Sequence, residues 1–410
     1  MIKNKKIELL APAGNIAKAE YALTFGADAL YLGIPDFSLR VRINEITKSD
    51  INKIIKCARA QNKKIYITLN IYARNKHIKK IREHLKQLNK IKPDGIIISD
   101  PGILELIKKY CPKIPVHLSV QANCTNWQAA KFWLRQGVKR IILARELSLL
   151  EITKIHKKVP KMELECFVHG AICMSYSGRC LLSSYLTGRD ANLGDCAQPC
   201  RWQYKYFLEE QQRKNEFFPI EEDKNGSYIL NSKDLCLIKY LDDLKKAGVS
   251  SFKIEGRAKS VFYIAMVCKI YREAMDLKKT AGKKEKLNKL YAELQTLTHR
   301  DYTDGFLLGN EAVKQKYDAA HKISDYQFVG EVVEKTKNGI YMKIHNAIFA
   351  KDTIEFIQPN IKNLKLKLNT FFDQEGKEIV EAHGGQGKTV FIKTKKDIEK
   401  MSVARKKITA

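Results

Sequence analysis

Eight short apolar runs constrain the architecture of this chain. They are Ile7–Leu10, Ala29–Gly33, Lys64–Leu69, Gly95–Ser99, Pro115–Val120, Arg140–Ala144, Met162–Val168 and Ser251–Glu255. Most are too apolar to alternate cleanly, which is the pattern of parallel strands buried on both faces. Helical patterns lie between the early ones, over Ile16–Phe25, Lys48–Gln61 and Ile78–Asn89. Strand and helix in alternation predict a parallel α/β architecture, and eight units favour a closed, TIM-like (β/α)8 barrel over an open doubly wound sheet. TFGADALYLG and RQGVKRIILARE share one order of helix end, glycine and strand, a weak internal repeat.

The rhythm breaks between the seventh and eighth runs. About eighty residues separate Val168 from Ser251, and they hold five of the ten cysteines. Loops after barrel strands gather at the C-terminal face, where such barrels carry their chemistry, so the cysteine insertion is expected over the mouth. A helical stretch, Ser260–Leu297, follows the eighth run, and HRDYTDGFLLGN reads as loop. From Asp325 the pattern turns to strands around an Asn338–Gly339 turn and again at TVFIKT, which predicts a small antiparallel β-barrel. The expected division is a barrel domain over 1–300 with the insertion at 169–249, a linker over 301–324 and the small domain over 325–410.

Within the insertion the spacing is Cys173-x6-Cys180-x15-Cys196-x3-Cys200-x35-Cys236. Zinc knuckles come as tight pairs, and only Cys196 and Cys200 form one, so the spacing disfavours zinc. A four-iron, four-sulfur cluster takes four thiolates and tolerates dispersed spacing. Five cysteines compete for those four places. Cys57, Cys111 and Cys268 fall on apolar helical faces and read as core residues, whereas Cys124 and Cys166 lie near strand ends. A reducing compartment fits so many unpaired thiols, and with no signal peptide at the N-terminus a cytoplasmic location is expected. No run of 18 apolar residues occurs, which argues against a membrane-spanning helix. The net charge of +29, from 74 Lys and Arg against 45 Asp and Glu, favours a polyanionic partner such as RNA.

ELLAPAGN, GADALYLG, FSLR, HGAICMSYSGRCLLSSYLTGRDANLGDCAQPCRW, LNSKDLC and KIEGRAKS together resemble the collagenase-like peptidase family, peptidase family U32. The motifs run from Glu8 to Lys259, and the tail resembles that family's additional domain. The likeness is strongest to members that hydroxylate tRNA, converting wobble uridine to 5-hydroxyuridine with prephenate. It implies tRNA and prephenate as partners, with an electron donor or a family paralogue as further candidates. A peptidase is the alternative, and a hydroxylase of rRNA or of another substrate is the second. Relatives in ubiquinone synthesis carry a four-iron cluster on four cysteines. Carried over, the ligands are Cys173, Cys180, Cys196 and Cys236, with Cys200 as a possible substitute. One departure is visible, since FSLRVRINEI replaces the family's usual continuation after the second strand.

Polar residues just past buried strands are the remaining candidates. His169, Glu165, Arg145, Lys253 and Glu255 are expected to be catalytic. Arg40, Arg42, His117, Gln121, Asn123, Arg257, Tyr176 and Arg179 are expected to bind substrate. Arginine forks suit a dicarboxylate, and Arg40, Arg145 and Arg257 supply them. Glu165 and Glu255 have a second reading, as buried partners of Lys253 and Arg257. Tyr176, Arg179, Tyr185, Arg189, Arg201, Trp202 and Tyr204 interleave cations with aromatics, a mixture suited to a splayed base. A peptidase reading finds no G-x-S-x-G and no H-E-x-x-H in the chain.

Overall fold

The computed structural model describes residues 6–33, 38, 46–173, 175–202, 206–209, 214–215, 217–220, 232–309, 322, 324–385 and 387–408. The eight apolar runs are the strands β1 (Glu8–Pro12), β2 (Ala29–Gly33), β3 (Lys64–Leu69), β4 (Gly95–Ile98), β5 (Val116–Leu118), β6 (Arg140–Ile142), β7 (Glu163–Ala171) and β8 (Val249–Ile254). Each pairs in parallel with the next through β7, and β8 pairs in parallel with both β7 and β1, which closes the barrel. The strands are buried along nearly their whole length, as their apolar runs require.

The helices between them are α1 (Ile16–Thr24), α2 (Lys48–Ala60), α3 (Ile78–Ile91), α4 (Pro101–Tyr110), α5 (Trp127–Arg135) and α6 (Leu149–Lys158). Two short helices, α7 (Leu182–Thr187) and α8 (Leu241–Lys246), lie between β7 and β8. Side-chain oxygens start most of the longer ones. Thr47 with Asp50 and Ser148 with Glu151 close reciprocal capping boxes, Asp100 caps α4 ahead of Pro101, and Asn126 caps α5.

The insertion begins where β7 overruns the barrel wall. Lys253 pairs with Phe167 and Ile254 with His169, so Val168 is one residue extra. This bulge frees the Val168 carbonyl to accept from Leu237 N at 2.8 Å. The chain returns on a short strand, Asp234–Cys236, that pairs antiparallel with the end of β7. Gly170 permits the exit. Its φ is +105°, and a Cβ there would stand 2.6 Å from the Glu255 carbonyl oxygen.

The chain forms two compact units. The first comprises 1–19, 28–258 and 299–322, and holds the barrel and insertion. The second comprises 20–27, 259–298 and 323–410. This division differs from the expected one, because helices α9 (Val261–Asp276) and α10 (Lys283–Leu294) group with the tail. Lys269 of α9 donates to the carbonyls of Gln358 and Ile361 at 2.9 and 2.7 Å, and Arg405 pairs with Glu293 of α10 at 2.9 Å. The tail is an eight-stranded antiparallel sheet around Val329, Ile340, Ile354, Phe356, Phe371 and Ile392. It is a half-barrel: among the described residues no ladder joins its two edge strands. Among those residues, no helix is long and apolar enough to cross a membrane.

Candidate active site

Alternate residues of a strand face one side, so each barrel strand contributes a vertical series to the interior. Along β8, Ser251 bonds Glu8 at 2.9 Å, Lys253 bonds Glu165 at 2.9 Å, and Glu255 reaches a cavity of about 220 Å³ at the mouth. The series from β3 and its loop is Tyr66, Thr68 and Asn70, and that from β5 is His117, Ser119 and Gln121. In each, the last two members line the cavity. Three levels result. At the floor, Arg140 reaches Glu8, Glu163 and Glu165 at 2.5, 3.0 and 3.1 Å, and Tyr66 donates to Glu8 at 2.7 Å. Leu10, Ala29, Tyr31, Ile97 and Ile142 form an apolar plug above it. The mouth gathers Gln121, Arg145, Lys253, Glu255 and Arg257.

The insertion is clamped over this mouth from several strands. Glu146, after β6, accepts from Ser177 N and Oγ at 2.5 and 2.6 Å. Arg179 Nε donates to Tyr72 Oη and to the Gln121 carbonyl at 2.6 and 2.9 Å. Arg74 pairs with Asp190 at 2.9 Å. Inside the insertion, Asn192 accepts from Cys180 N at 3.3 Å and donates to Cys180 O at 3.0 Å, which fixes that cysteine's backbone. Buried Ser183, on α7, accepts from Ala197 N at 2.9 Å and does the same for the Cys196 loop.

Cys173, Cys180, Cys196 and Cys200 all line the cavity. Cys196 Sγ accepts from Gln198 N at 3.3 Å. Burial pushes the Cys200 thiol up and Cys173 and Cys196 add to this, while Arg201 and Arg300 pull it down, so these groups share one electrostatic neighbourhood. Cys236 does not line the cavity. It is buried behind it, paired with His169 across the return strand. Asp234, on that strand, holds Arg300 at 3.1 Å. Among the described residues no three His, Cys, Asp or Glu stand close enough for one metal ion. A four-iron cluster spreads its thiolates over the corners of a cube, so it calls for cysteines around a cavity and not at one point.

The other expected residues divide. Arg145, Lys253, Glu255, Arg257 and Gln121 line the cavity, as do Arg189 and Arg201. Arg145 lies over Phe167 with 4.0 Å from guanidinium carbon to ring centre, and its buried Nε has no hydrogen-bond partner among the described residues. Lys253 lies 4.4 Å from the Tyr31 ring centre, and burial pulls its ammonium pKa down against the pull of Glu165. Glu165 is fully buried between Arg140 and Lys253 and does not reach the cavity, in line with its second reading. His117 sits at the floor beside Tyr66, where burial and then Arg140 lower its pKa to about 3. His169 packs on Tyr302 with ring centres 5.3 Å apart, away from the cavity. Asn123, Tyr176 and Arg179 do not line it either. Arg40, Arg42 and Tyr204 lie outside the described residues. Asn70 and Ser119 escaped the sequence reading, although each stands one residue past a strand, the position that marked the others.

The family model described as Peptidase family U32 matches residues 14–317, and that of the Peptidase family U32 C-terminal domain matches 324–405. The tRNA hydroxylation protein P of Escherichia coli (strain K12) is 39% identical over 434 residues, covering 96% of this chain and 95% of that protein. The 23S rRNA 5-hydroxycytidine C2501 synthase of the same strain is 33% identical, covering 82% of this chain and 50% of its own length. A collagenase of Porphyromonas gingivalis (strain ATCC BAA-308 / W83) is 33% identical, covering 74% of this chain and 73% of that protein.

Proposed function

The chain belongs to peptidase family U32, and from that premise we propose that it is an RNA-modifying enzyme that hydroxylates tRNA, giving 5-hydroxyuridine at the wobble position. The observation that carries this reading is the mouth of the barrel, where four cysteines meet Arg145, Lys253 and Arg257 in one cavity. Relatives named for hydroxylation of tRNA and of rRNA support it. The collagenase likeness finds less support in the site. Among the described residues no histidine lines the cavity, so the nucleophile–histidine pair that many thiol and serine peptidases use has no candidate there.

A four-iron cluster is the group these cysteines suit. Cys173, Cys180 and Cys196 are ligands in every version of the reading. The fourth place falls to Cys200 by its position in the cavity and to Cys236 by family resemblance. When bound, such a cluster supplies one-electron chemistry. The chain's own residues then hold the substrates. Arg145 and Arg257 offer guanidinium forks to a dicarboxylate, for which prephenate is the proposed co-substrate. Gln121 and Asn70 offer amides to the edge of a flipped base. Phe167 and Tyr31 give the cavity aromatic walls.

Mass spectrometry of tRNA nucleosides from a strain lacking the gene and any paralogue tests the activity. Loss of wobble 5-hydroxyuridine derivatives, restored by the wild-type gene and not by Cys180→Ser, is expected. Unchanged tRNA with a missing modification in rRNA would move the assignment to rRNA. Iron and sulfide analysis of anaerobically purified protein tests the ligands. Cys180→Ser and Cys196→Ser should lose nearly all iron, and only one of Cys200→Ser and Cys236→Ser should do so. Full iron in both of the latter would leave the fourth ligand outside the cysteines.

A further inference from the structure

The loop after β3 serves two surfaces. Asn70 faces the cysteine cavity, while Tyr72 and Arg74 line a second, more open depression of about 590 Å³. Arg179, Leu181, Asn192 and Asp190, the carboxylate that pairs with Arg74, also line that depression, and Cys180 lines both. A molecule seated in the open depression is therefore one residue's width from the cavity.

The chain then runs directly into α3. This helix buries Ile81, His84, Leu85 and Leu88. Its outer face shows Lys79, Lys80, Arg82, Lys86 and Lys90, with Glu83 as the one acid among the exposed charges. Arg74 and Lys76 extend the row to the edge of the depression. A helix of 14 residues is roughly 21 Å long, so the row spans several phosphates of a nucleic-acid strand. On the insertion side stand apolar groups left to water. Leu181 is 74% exposed, and Tyr185, one helical turn further on, is 86% exposed. Exposed aromatic faces beside a track of cations are what splayed bases and their phosphates require.

The geometry points to this surface as the seat of a single-stranded segment of the substrate RNA. Phosphates lie along the outer face of α3, a base stacks on Tyr185, and the strand enters the open depression at Cys180. The assignment rests on the RNA reading above and adds the place where RNA binds. It also selects one face from a chain that is basic on many. Helix α6 exposes Lys154, Lys157 and Lys158 as well, but the loop before α6 does not line the open depression.

The test is binding of a fluorescent anticodon stem-loop transcript to the anaerobically purified full-length protein across a salt series. The triple variant K79Q/K80Q/K86Q should weaken binding about tenfold or more and flatten the log K against log salt slope by about 2, near 0.7 for each phosphate that is no longer neutralised. The matched variant K154Q/K157Q/K158Q should stay within about threefold of wild type. Tyr185→Ala should weaken binding by about tenfold with the slope unchanged, since stacking carries no counterions. Melting temperature and iron content should be unaltered in all three. Wild-type binding that both lysine variants reduce equally, or that the α3 variant leaves intact, overturns the α3 track. Intact binding by Tyr185→Ala overturns the stacking contact. Absence of wild-type binding is a different failure, because it removes the RNA reading itself.

Discussion

Arg140 and Arg145 stand five residues apart at opposite ends of the same barrel. At the floor Arg140 reaches three carboxylates, those of Glu8, Glu163 and Glu165. At the mouth Arg145 lies over the Phe167 ring with a buried Nε that has no hydrogen-bond partner among the described residues. Arg140 is buried and Arg145 half-buried. At the floor the guanidinium's hydrogen-bonding capacity is consumed by the fold, and at the mouth part of it is left for something else. Charge alone does not mark a functional residue in this interior; residual capacity does.

The largest expected effect is at the floor. Arg140→Ala leaves buried carboxylates without their cation, and breaking such a pair costs about 3–5 kcal/mol. Urea denaturation of the full chain should read that loss. A change below about 1 kcal/mol would mean that the floor network is not structural and would remove the contrast. At the mouth the prediction is of another kind. Arg145→Ala should leave stability within about 1 kcal/mol and raise the KM for the proposed carboxylate co-substrate about 10- to 100-fold, the worth of a charged hydrogen bond. Equal destabilisation by both substitutions, with KM unmoved, would place Arg145 in the same class as Arg140.

That contrast was only half legible in the sequence. The barrel was readable because its strands are apolar along their length, and a parallel sheet buried on both faces leaves few other patterns. Position at or just past a strand end pointed to Arg145, Lys253, Glu255 and Arg257, all of which line the cavity. Glu165 and His117, chosen in the same way, do not line the cavity, because the level a side chain occupies depends on how neighbouring strands are staggered, and no local pattern records stagger. His169 looked functional for its place beside the insertion. Its packing partner, Tyr302, comes from more than a hundred residues away in the chain, and no spacing links them. The return strand at Asp234–Cys236 has three residues, too few for periodicity to reveal. Thus cysteine spacing could number the candidates but could not say which four surround one cavity. The grouping of α9 and α10 with the tail escaped for the same reason, since it rests on long-range partners such as Lys269 with Gln358.

The floor carries a further prediction in its histidine. His117 is held neutral, with its pKa lowered to about 3 by burial and then by Arg140. The unfolded chain has an ordinary imidazole near 6.5. Below that value the unfolded state binds a proton that the folded state refuses. Stability from this group is therefore full above about 6.5 and lost progressively down to about 3, at no more than about 1.4 kcal/mol per pH unit. His117→Asn should flatten that acid limb of the stability profile, as urea midpoints between pH 6.5 and 4 would show. An unchanged slope would mean that the histidine is protonated in the fold, and that the floor has a free acceptor after all.

The smallest effect separates clamp from core. Glu146 holds the insertion by two bonds to one residue, Ser177 N and Ser177 Oγ. Glu146→Gln keeps the shape but replaces a charged acceptor with an amide that can accept only on one side. Ser177 is buried but Glu146 is only half-buried and the insertion can adjust, so the loss should be about 1 kcal/mol or less and small in the global unfolding midpoint. Locally it should show, because Ser177 stands three residues before Cys180 and both line the cavity. Cluster-free protein should therefore alkylate severalfold faster at Cys180 in the variant, with Cys111 and Cys268, buried in the core, unreactive in both proteins. A rate equal to wild type would show that Asn192 and the Arg179 contacts hold the insertion without Glu146. The mouth would then resemble the floor in having more bonds than it needs.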